Sequence, residues 1–275
     1  MTIYLKLKMK DLLTNPELLG WGIGFIEFWV LMWIFVFTKG PPKTIPLEYF
    51  ASVNASMAFG FLGLLSMASV AIGLAYSIFH QSRAARYLTK FTKLSPRAFL
   101  LEDFFGSLVT LLIFIAVIYA SIIAANYAKF GVFPVLENPI GVFVDLVISG
   151  VALYWFAYAL ALTIIVTRRT RAISMVSFIP LVIAFIAYSQ LWVDFKSLVY
   201  VIPLSTIPSL LMYHATGMVP PTGSYLAWLF GSEPLTSINL RLAAISLFAW
   251  IVIFIAISLV MLRKSRGIPL EEIRF

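Results

Sequence analysis

Cysteine is absent from this chain of 275 residues, and charged side chains are scarce. Without cysteine the protein has no disulfide, no thiolate nucleophile and no thiolate metal site. Asp, Glu, Lys and Arg make up only 12% of the residues, whereas soluble domains carry about 25%. So little charge cannot cover the surface of a soluble globular domain, which excludes that class of protein.

Common catalytic and nucleotide-binding motifs are missing as well. No G-x-x-x-x-G-K-[ST] sequence occurs, so the chain has no P-loop with which to hold ATP. G-x-S-x-G and H-E-x-x-H are also absent, and the two histidines, His80 and His214, lie far apart in the sequence. We therefore predict that the chain is not an enzyme and holds no metal or cofactor of its own.

Long apolar runs dominate what is present. Hydrophobic residues make up 61% of the chain, and its mean hydropathy is +0.98. A helix needs about 20 apolar residues to cross a bilayer. We predict an all-α integral membrane protein, a single domain over residues 1–275, whose six transmembrane helices cover residues 19–38, 58–79, 104–125, 141–166, 172–192 and 243–262.

The placement of basic residues predicts the topology. All but five of the 20 Lys and Arg residues fall on one side of a six-span arrangement, and the five exceptions are Lys39, Lys43, Lys129, Lys196 and Arg241. Basic loops stay in the cytoplasm, so both termini are predicted to be cytoplasmic in a multi-pass protein of the cell membrane. The net charge of +8 thus marks a membrane side and does not indicate a nucleic-acid partner.

The N-terminal segment, residues 1–17, alternates lysines with aliphatic residues before "TNPE". Such a pattern is typical of a helix that lies flat in the headgroup region. Asn15 as N-cap, Pro16 as first helical residue and Glu17 in the first turn predict that a second helix begins there. We expect an elbow, which is a flat interfacial helix followed by a bend into the first span.

The connection between the fifth and sixth spans, residues 193–240, is long but not hydrophilic. Its apolar part, "SLVYVIPLSTIPSLLMYHATG", is interrupted by Pro203 and Pro208, and neither half is long enough to cross the membrane. Broken backbone at membrane depth must be shielded by protein or face a watery cavity. We predict short helices that re-enter from the outer face.

The connection between the second and third spans, residues 80–103, is strongly basic. At helical spacing Arg86, Lys90 and Lys93 share one face, and aromatic and aliphatic residues share the next. Ser95-Pro96 then provides an N-cap and a first-turn proline for the third span. This short amphipathic helix is either a solvated basic loop resting on headgroups or a docking helix for a cytoplasmic partner.

These features, in this order, resemble the permease subunits of type 2 ATP-binding-cassette exporters over essentially the whole chain. The resemblance is carried by "LKLKMKDLLTNPELL" at the first span, "YLTKFTKLSPRAFLL" before the third and "VIPLSTIPSLLMYHATG" before the last. The chain departs from the family at Arg83-Ala-Ala-Arg86, where members often carry acidic and glycine residues. It also departs at Glu102-Asp103, where a basic residue is common.

The resemblance implies a transporter driven by a separate cytoplasmic ATPase subunit, which would bind the ATP and Mg²⁺. It implies a second permease subunit, as homodimer or heterodimer, and a path between the two halves lined by the first, second and fifth spans. Export of a hydrophobic or amphipathic substrate is expected, with an outer gate at Pro203 and Pro208. The residues implied to couple the chain to the ATPase are Arg83, Arg86, Tyr87, Leu88, Lys90, Phe91, Lys93, Leu94, Ser95, Pro96 and Arg97.

Two carboxylates lie within predicted spans and are candidates for the translocation path. Glu27 is in the first span and Asp145 in the fourth, and neither has an evident cationic partner in the sequence. The alternative for Glu27 is a carboxyl that faces another helix, protonated or hydrogen-bonded to a Ser or Tyr. The alternative for Asp145 is an interfacial residue near headgroup water and a helix N-terminus. The competing functions are a secondary transporter that uses Glu27, driven by an ion gradient, and a membrane scaffold without transport.

Overall fold

In the computed structural model the described chain is helical. Six helices are long and apolar enough to cross a membrane, as expected for a multi-pass membrane protein: Pro16–Phe37, Leu47–Ser82, Phe99–Phe130, Pro139–Thr167, Thr170–Leu191 and Leu240–Lys264. Each contains most or all of one predicted span. The backbone is described for residues 3–41, 45–91, 96–229 and 236–264, and the side chains for the same residues except 3, 83–91 and 96–98.

The N-terminal helix, Ile3–Thr14, is separated from the first span at Asn15. The side chain of Asn15 accepts hydrogen bonds from the backbone N–H groups of Glu17 and Leu18, and Pro16 is the first helical residue, as predicted. The N-terminal helix packs against the third span, and Lys8 is buried there, although the lysines of a flat interfacial helix were expected to face headgroups. The break is therefore confirmed, but one lysine points into the protein.

The second span is the centre of the bundle, and its apolar part is wholly buried. Small residues along it allow close packing, because a side chain larger than hydrogen would collide with a neighbour. A Cβ atom at Gly73 would lie 2.5 Å from a methyl carbon of Leu18, and one at Gly63 would lie 2.8 Å from a methyl carbon of Leu146. Through these glycines the second span contacts the first and fourth spans.

The helix of the second span continues beyond Phe79, where the predicted span ends. Its last helical segment runs without a break from Gly63 to Phe91, and the third-span helix begins at Pro96. Residues 83–91 are therefore an extension of the second span, whereas the sequence predicted a separate short helix beginning near Arg86. The physical reason is that no helix-breaking residue lies between Gly73 and Phe91, so helical hydrogen bonding continues past the apolar part.

The third and fourth spans complete the core. Asn138 caps the fourth-span helix, Pro139–Thr167, and Arg168 ends it in the left-handed conformation with φ of 55°. Lys129, near the end of the third span, donates hydrogen bonds to the backbone carbonyls of Ile34 and Thr38. A cation placed on carbonyls that have no partner within their own helix stabilises a helix C-terminus, so the third span secures this end of the first span.

The long connection before the sixth span is folded and packed. It contains the 3-10 segment Lys196–Tyr200, the helix Ile207–Thr216, which is called here the Pro208 helix, and the short helix Tyr225–Leu229. The Pro208 helix packs against the second, fourth and sixth spans, and most of its residues are buried. The sixth span packs on the fourth, where the rings of Phe156 and Phe254 stack 4.5 Å apart.

Consecutive spans run in opposite directions, so the bundle has two ends. The basic end contains the N-terminal helix, residues 83–91, Pro96 and Arg168; the opposite end contains Lys129 and the Pro208 helix. The contacts fix this arrangement, since Leu18 at the start of the first span meets Gly73, whereas Thr38 beyond the end of the first span meets Asn54 near the start of the second.

We predict that Gly73→Ala destabilises the bundle by about 1–3 kcal/mol, because the added methyl group overlaps the Cα and side chain of Leu18. Gly24→Ala is the matched control, since a Cβ atom at Gly24 meets no heavy atom within 4 Å. Thermal unfolding of both variants in detergent provides the measurement. Equal melting temperatures for the two variants would show that the first and second spans do not pack as described.

Candidate functional site

Of the residues implied to couple the chain to an ATPase, those with a described backbone lie at the basic end, and the side chains of all of them are outside the described set. Arg83 to Phe91 continue the helix of the second span, and Pro96 and Arg97 begin the third-span helix. Lys93, Leu94 and Ser95 lie outside the described residues. The third-span helix is described from Pro96 onward, and both the Ser95 cap and the role of these side chains stay predictions.

A buried ion pair lies immediately beside this stretch. The ammonium of Lys8 is 2.8 Å from Oδ1 of Asp103, and the two side chains are 0% and 3% exposed. Lys8 comes from the N-terminal helix, whereas Asp103 is in the first turns of the third span. A charge removed from water this completely is tolerated only when it is paired and hydrogen-bonded, so this contact fixes the position of the N-terminal helix.

Further polar groups complete the pair. Lys8 also donates to Oε1 of Gln81 at 2.6 Å and to the Ser77 hydroxyl at 3.2 Å, and both of these residues lie on the second span. Asp103 accepts from the Tyr154 hydroxyl of the fourth span at 2.9 Å and from the Tyr4 hydroxyl at 3.4 Å. Lys8, Asp103, Ser77, Gln81, Tyr4 and Tyr154 are together called the Lys8 cluster.

The two tyrosines of the Lys8 cluster, Tyr4 and Tyr154, donate hydrogen bonds to the carboxylate of Asp103. Burial raises the pKa of Tyr4, and the negative charge of Asp103 raises this pKa further. Tyr4 therefore stays protonated at neutral pH and donates to the carboxylate. Sequence reasoning missed the cluster. Its one signal was Glu102-Asp103, an acidic pair at the start of an apolar helix, which had been noted only as a departure from the family.

Glu27 lies against the third span. Its Oε1 accepts a hydrogen bond of 2.7 Å from the Ser121 hydroxyl, and the residue is partly exposed. This geometry matches the expectation of a carboxyl bonded to a serine of another helix. The contact is with the third span, which was not among the three helices expected to line a translocation path, so Glu27 is placed between the first and third spans.

Asp145 has a partner that the sequence did not indicate. Nδ1 of His214, in the Pro208 helix, lies 2.6 Å from Oδ2 of Asp145. No partner for Asp145 was evident in the sequence, because this contact forms only where the Pro208 helix folds back onto the fourth span. Gly141 makes room for the imidazole, since a Cβ atom there would lie 2.7 Å from the ring.

The two prolines expected to form an outer gate have different positions. Pro208 is in the first turn of the Pro208 helix, whereas Pro203 lies in the turns before that helix. The helix is held by the Ser209 hydroxyl, which is 2.7 Å from that of Tyr225, and by its His214 carbonyl, which accepts from the Asn138 backbone N–H. The interrupted backbone is thus shielded by protein at the opposite end of the bundle.

The first and fifth spans cover the second span in this conformation. Trp21 and Phe178 meet edge to face with ring centroids 5.2 Å apart. Because the apolar part of the second span is wholly buried, that part of the helix contributes no surface to an open path. A path lined by the first, second and fifth spans therefore requires Trp21 and Phe178 to separate.

A groove of about 290 Å³ opens at the opposite end, between the start of the second span and the end of the Pro208 helix. Its charged lining residues are Glu48 and Glu137. Among the described side chains, no group of three or more His, Asp or Glu residues could hold a metal ion. The groove is remote from the basic residues 83–91, because Glu48 lies at the other end of the second span.

We predict that Lys8→Met destabilises the protein by about 3–5 kcal/mol, because the carboxylate of Asp103 then loses its buried counter-ion. Adding Asp103→Asn should recover much of this loss, since the neutral amide oxygen can still accept from Tyr154. Thermal unfolding of the single and double variants measures both effects. A double variant less stable than Lys8→Met would contradict a loss caused by an unpaired charge.

The site geometry therefore comprises a buried charge cluster beside a basic helical extension, one intramembrane carboxylate bonded to the third span, and a folded segment tied to the fourth span by His214. A comparison of the chain with models of known protein families found no match, and neither did a comparison with curated proteins.

Proposed function

We propose that the chain is the permease subunit of a type 2 ATP-binding-cassette exporter, which moves a hydrophobic or amphipathic substrate. The observation that carries the proposal is the basic helical extension of the second span. Residues 83–91 prolong that helix by about 13 Å beyond Ser82, and the third-span helix begins again at Pro96. A basic helical extension between two spans suits docking into a groove of a cytoplasmic partner.

The other features supporting the proposal come in the order that the family resemblance implies. A separate N-terminal helix precedes the first span, six helices are long enough to span, and a proline-interrupted segment precedes the last of them. The chain holds no P-loop, so the energy would come from ATP and Mg²⁺ bound by a separate ATPase subunit. A second permease subunit, identical or similar, would complete the membrane core.

Transport would follow from movement of the basic helical extension. Closure of two ATPase subunits on ATP would push on residues 83–97, and the continuous helix would carry that displacement along the second span. Because the second span is the buried centre of the bundle, its displacement would disturb the Trp21–Phe178 contact that covers it. The substrate path would open between the first and fifth spans, with the Pro208 helix as the outer gate.

The proposal predicts that a cytoplasmic ATPase subunit co-purifies with the tagged chain in mild detergent. An Arg86→Glu, Phe91→Asp double variant should lose at least tenfold of that ATPase, because it reverses one charge and adds another to the predicted docking face. Lys264→Glu is the control, since it reverses a charge at the same end of the bundle on the sixth span. Mass spectrometry of the purified complexes measures the ratio. Equal recovery with all three chains would contradict the assigned docking site.

A secondary transporter that uses Glu27 is the second candidate, and the partly exposed carboxylate bonded to Ser121 is the observation that favours it. If an ion gradient drives transport through Glu27, Glu27→Gln abolishes uptake into energised vesicles while the protein stays folded. Glu17→Gln is the matched control, because Glu17 is exposed at the start of the first span. Our proposal predicts instead that Glu27→Gln leaves co-purification of the ATPase unchanged.

A further inference from the structure

Residues 83–97, which are called here the basic stretch, connect the second span to the third in the sequence. The ammonium of Lys8 contacts both of these spans. On one side it contacts Ser77 and Gln81, which precede residue 83 on the second span. On the other side it contacts Asp103, which follows residue 97 on the third span. A single side chain from the N-terminal helix thus joins the helix that leads into the basic stretch to the helix that leads out of it.

Further hydrogen bonds support the contacts of Lys8 with the second and third spans. Asp11 of the N-terminal helix accepts a hydrogen bond of 2.9 Å from Nε2 of Gln81, so this helix contacts the second span at two positions. Asp103 accepts from Tyr154 of the fourth span, which extends the connection to a third transmembrane helix. Gly106 leaves space for the aliphatic part of Lys8, since a Cβ atom there would lie 2.8 Å from Cγ of Lys8.

Complete burial makes the bridge rigid. A lysine at the surface exchanges its partners for water at little cost, whereas the side chain of Lys8 is 0% exposed and has no water to replace Asp103. The ends of the second and third spans therefore cannot move apart, or away from the N-terminal helix, without leaving a buried charge unpaired. The three helices and the basic stretch between two of them should move as one body.

We propose that Lys8 is a positioning residue for energy coupling, which makes the basic stretch and the N-terminal helix respond together to the ATPase. This inference rests on the proposed function. Without the bridge, a push on residues 83–97 would bend the connection between two separate helices. With it, the push would reach the second, third and fourth spans at once, through Ser77 and Gln81, through Asp103 and through Tyr154.

The test uses spin labels, for which a chain without cysteine is suited because no native thiol competes. Cysteines replace Lys6 and Lys264, which are both exposed at the basic end. In the free permease we expect one narrow distance distribution, which Lys8→Met, Asp103→Asn broadens at least twofold. Lys129→Met, the control, removes a lysine that binds at the opposite end and leaves the distribution narrow. A narrow distribution in the double variant would show that the Lys8–Asp103 pair does not hold these helices together.

The coupling role is then tested in the complex with the co-purified ATPase subunit. We expect a non-hydrolysable ATP analogue to shift the Lys6–Lys264 distance in the wild type, and the shift to be lost in Lys8→Met, Asp103→Asn although the ATPase is retained. A purely structural contact would lower the yield of both states and would not remove the response to nucleotide selectively. An unchanged shift overturns the proposal. Absence of any ATPase from wild-type preparations overturns the proposed function. The distance distributions of the free permease then still test whether Lys8 holds the helices together.

Discussion

An ammonium group inside a helical membrane protein has no water to solvate it, and this constraint determines where the N-terminal helix lies. Lys8 satisfies the constraint with a carboxylate from the third span and two polar groups from the second span. The N-terminal helix is consequently part of the folded core at the basic end. Through Asp103 and Tyr154 the same contact links four helices, so the geometry around the basic stretch depends on one pair of charges.

Close packing around the second span is the complementary constraint. Helices in a membrane gain little from burying apolar surface against one another, so small residues that permit close approach determine which helices meet. Gly73 and Gly63 admit Leu18 and Leu146, and the second span becomes the buried centre of the bundle. A central helix that also extends into the basic stretch is mechanically suited to carry a displacement from one side of a membrane into the protein.

The fold could largely be predicted from the sequence because its signals are local. Apolar runs of about 20 residues identified all six spans, and Asn15-Pro16 identified the break before the first span. The extent of the second-span helix could not be predicted as well. Its polar continuation to Phe91 has the composition of a loop, and only helical hydrogen bonding with no intervening breaker keeps it regular.

The candidate sites were predicted less well because they depend on contacts between residues distant in the sequence. Glu27 was identified from its place in an apolar run, and its pairing with a serine was foreseen as an alternative, but the identity of Ser121 was not. The pairing of Asp145 with His214 requires the Pro208 helix to fold back onto the fourth span, which no local pattern encodes. Lys8 was read as a surface charge for the same reason.

The capping of the first span by Lys129 has a consequence for biosynthesis. Lys129 contacts Ile34 and Thr38 at the end of the first span, and Asp103 contacts Lys8 in the helix that precedes this span, so the third span holds residues on both sides of the first span. In each pair the partner follows more than 90 residues later in the chain. At about 5–20 residues per second a ribosome needs roughly 5–20 s to supply it. During that interval the last carbonyls of the first span lack the Lys129 cap. Lys8 stays in water until the third span has been synthesised.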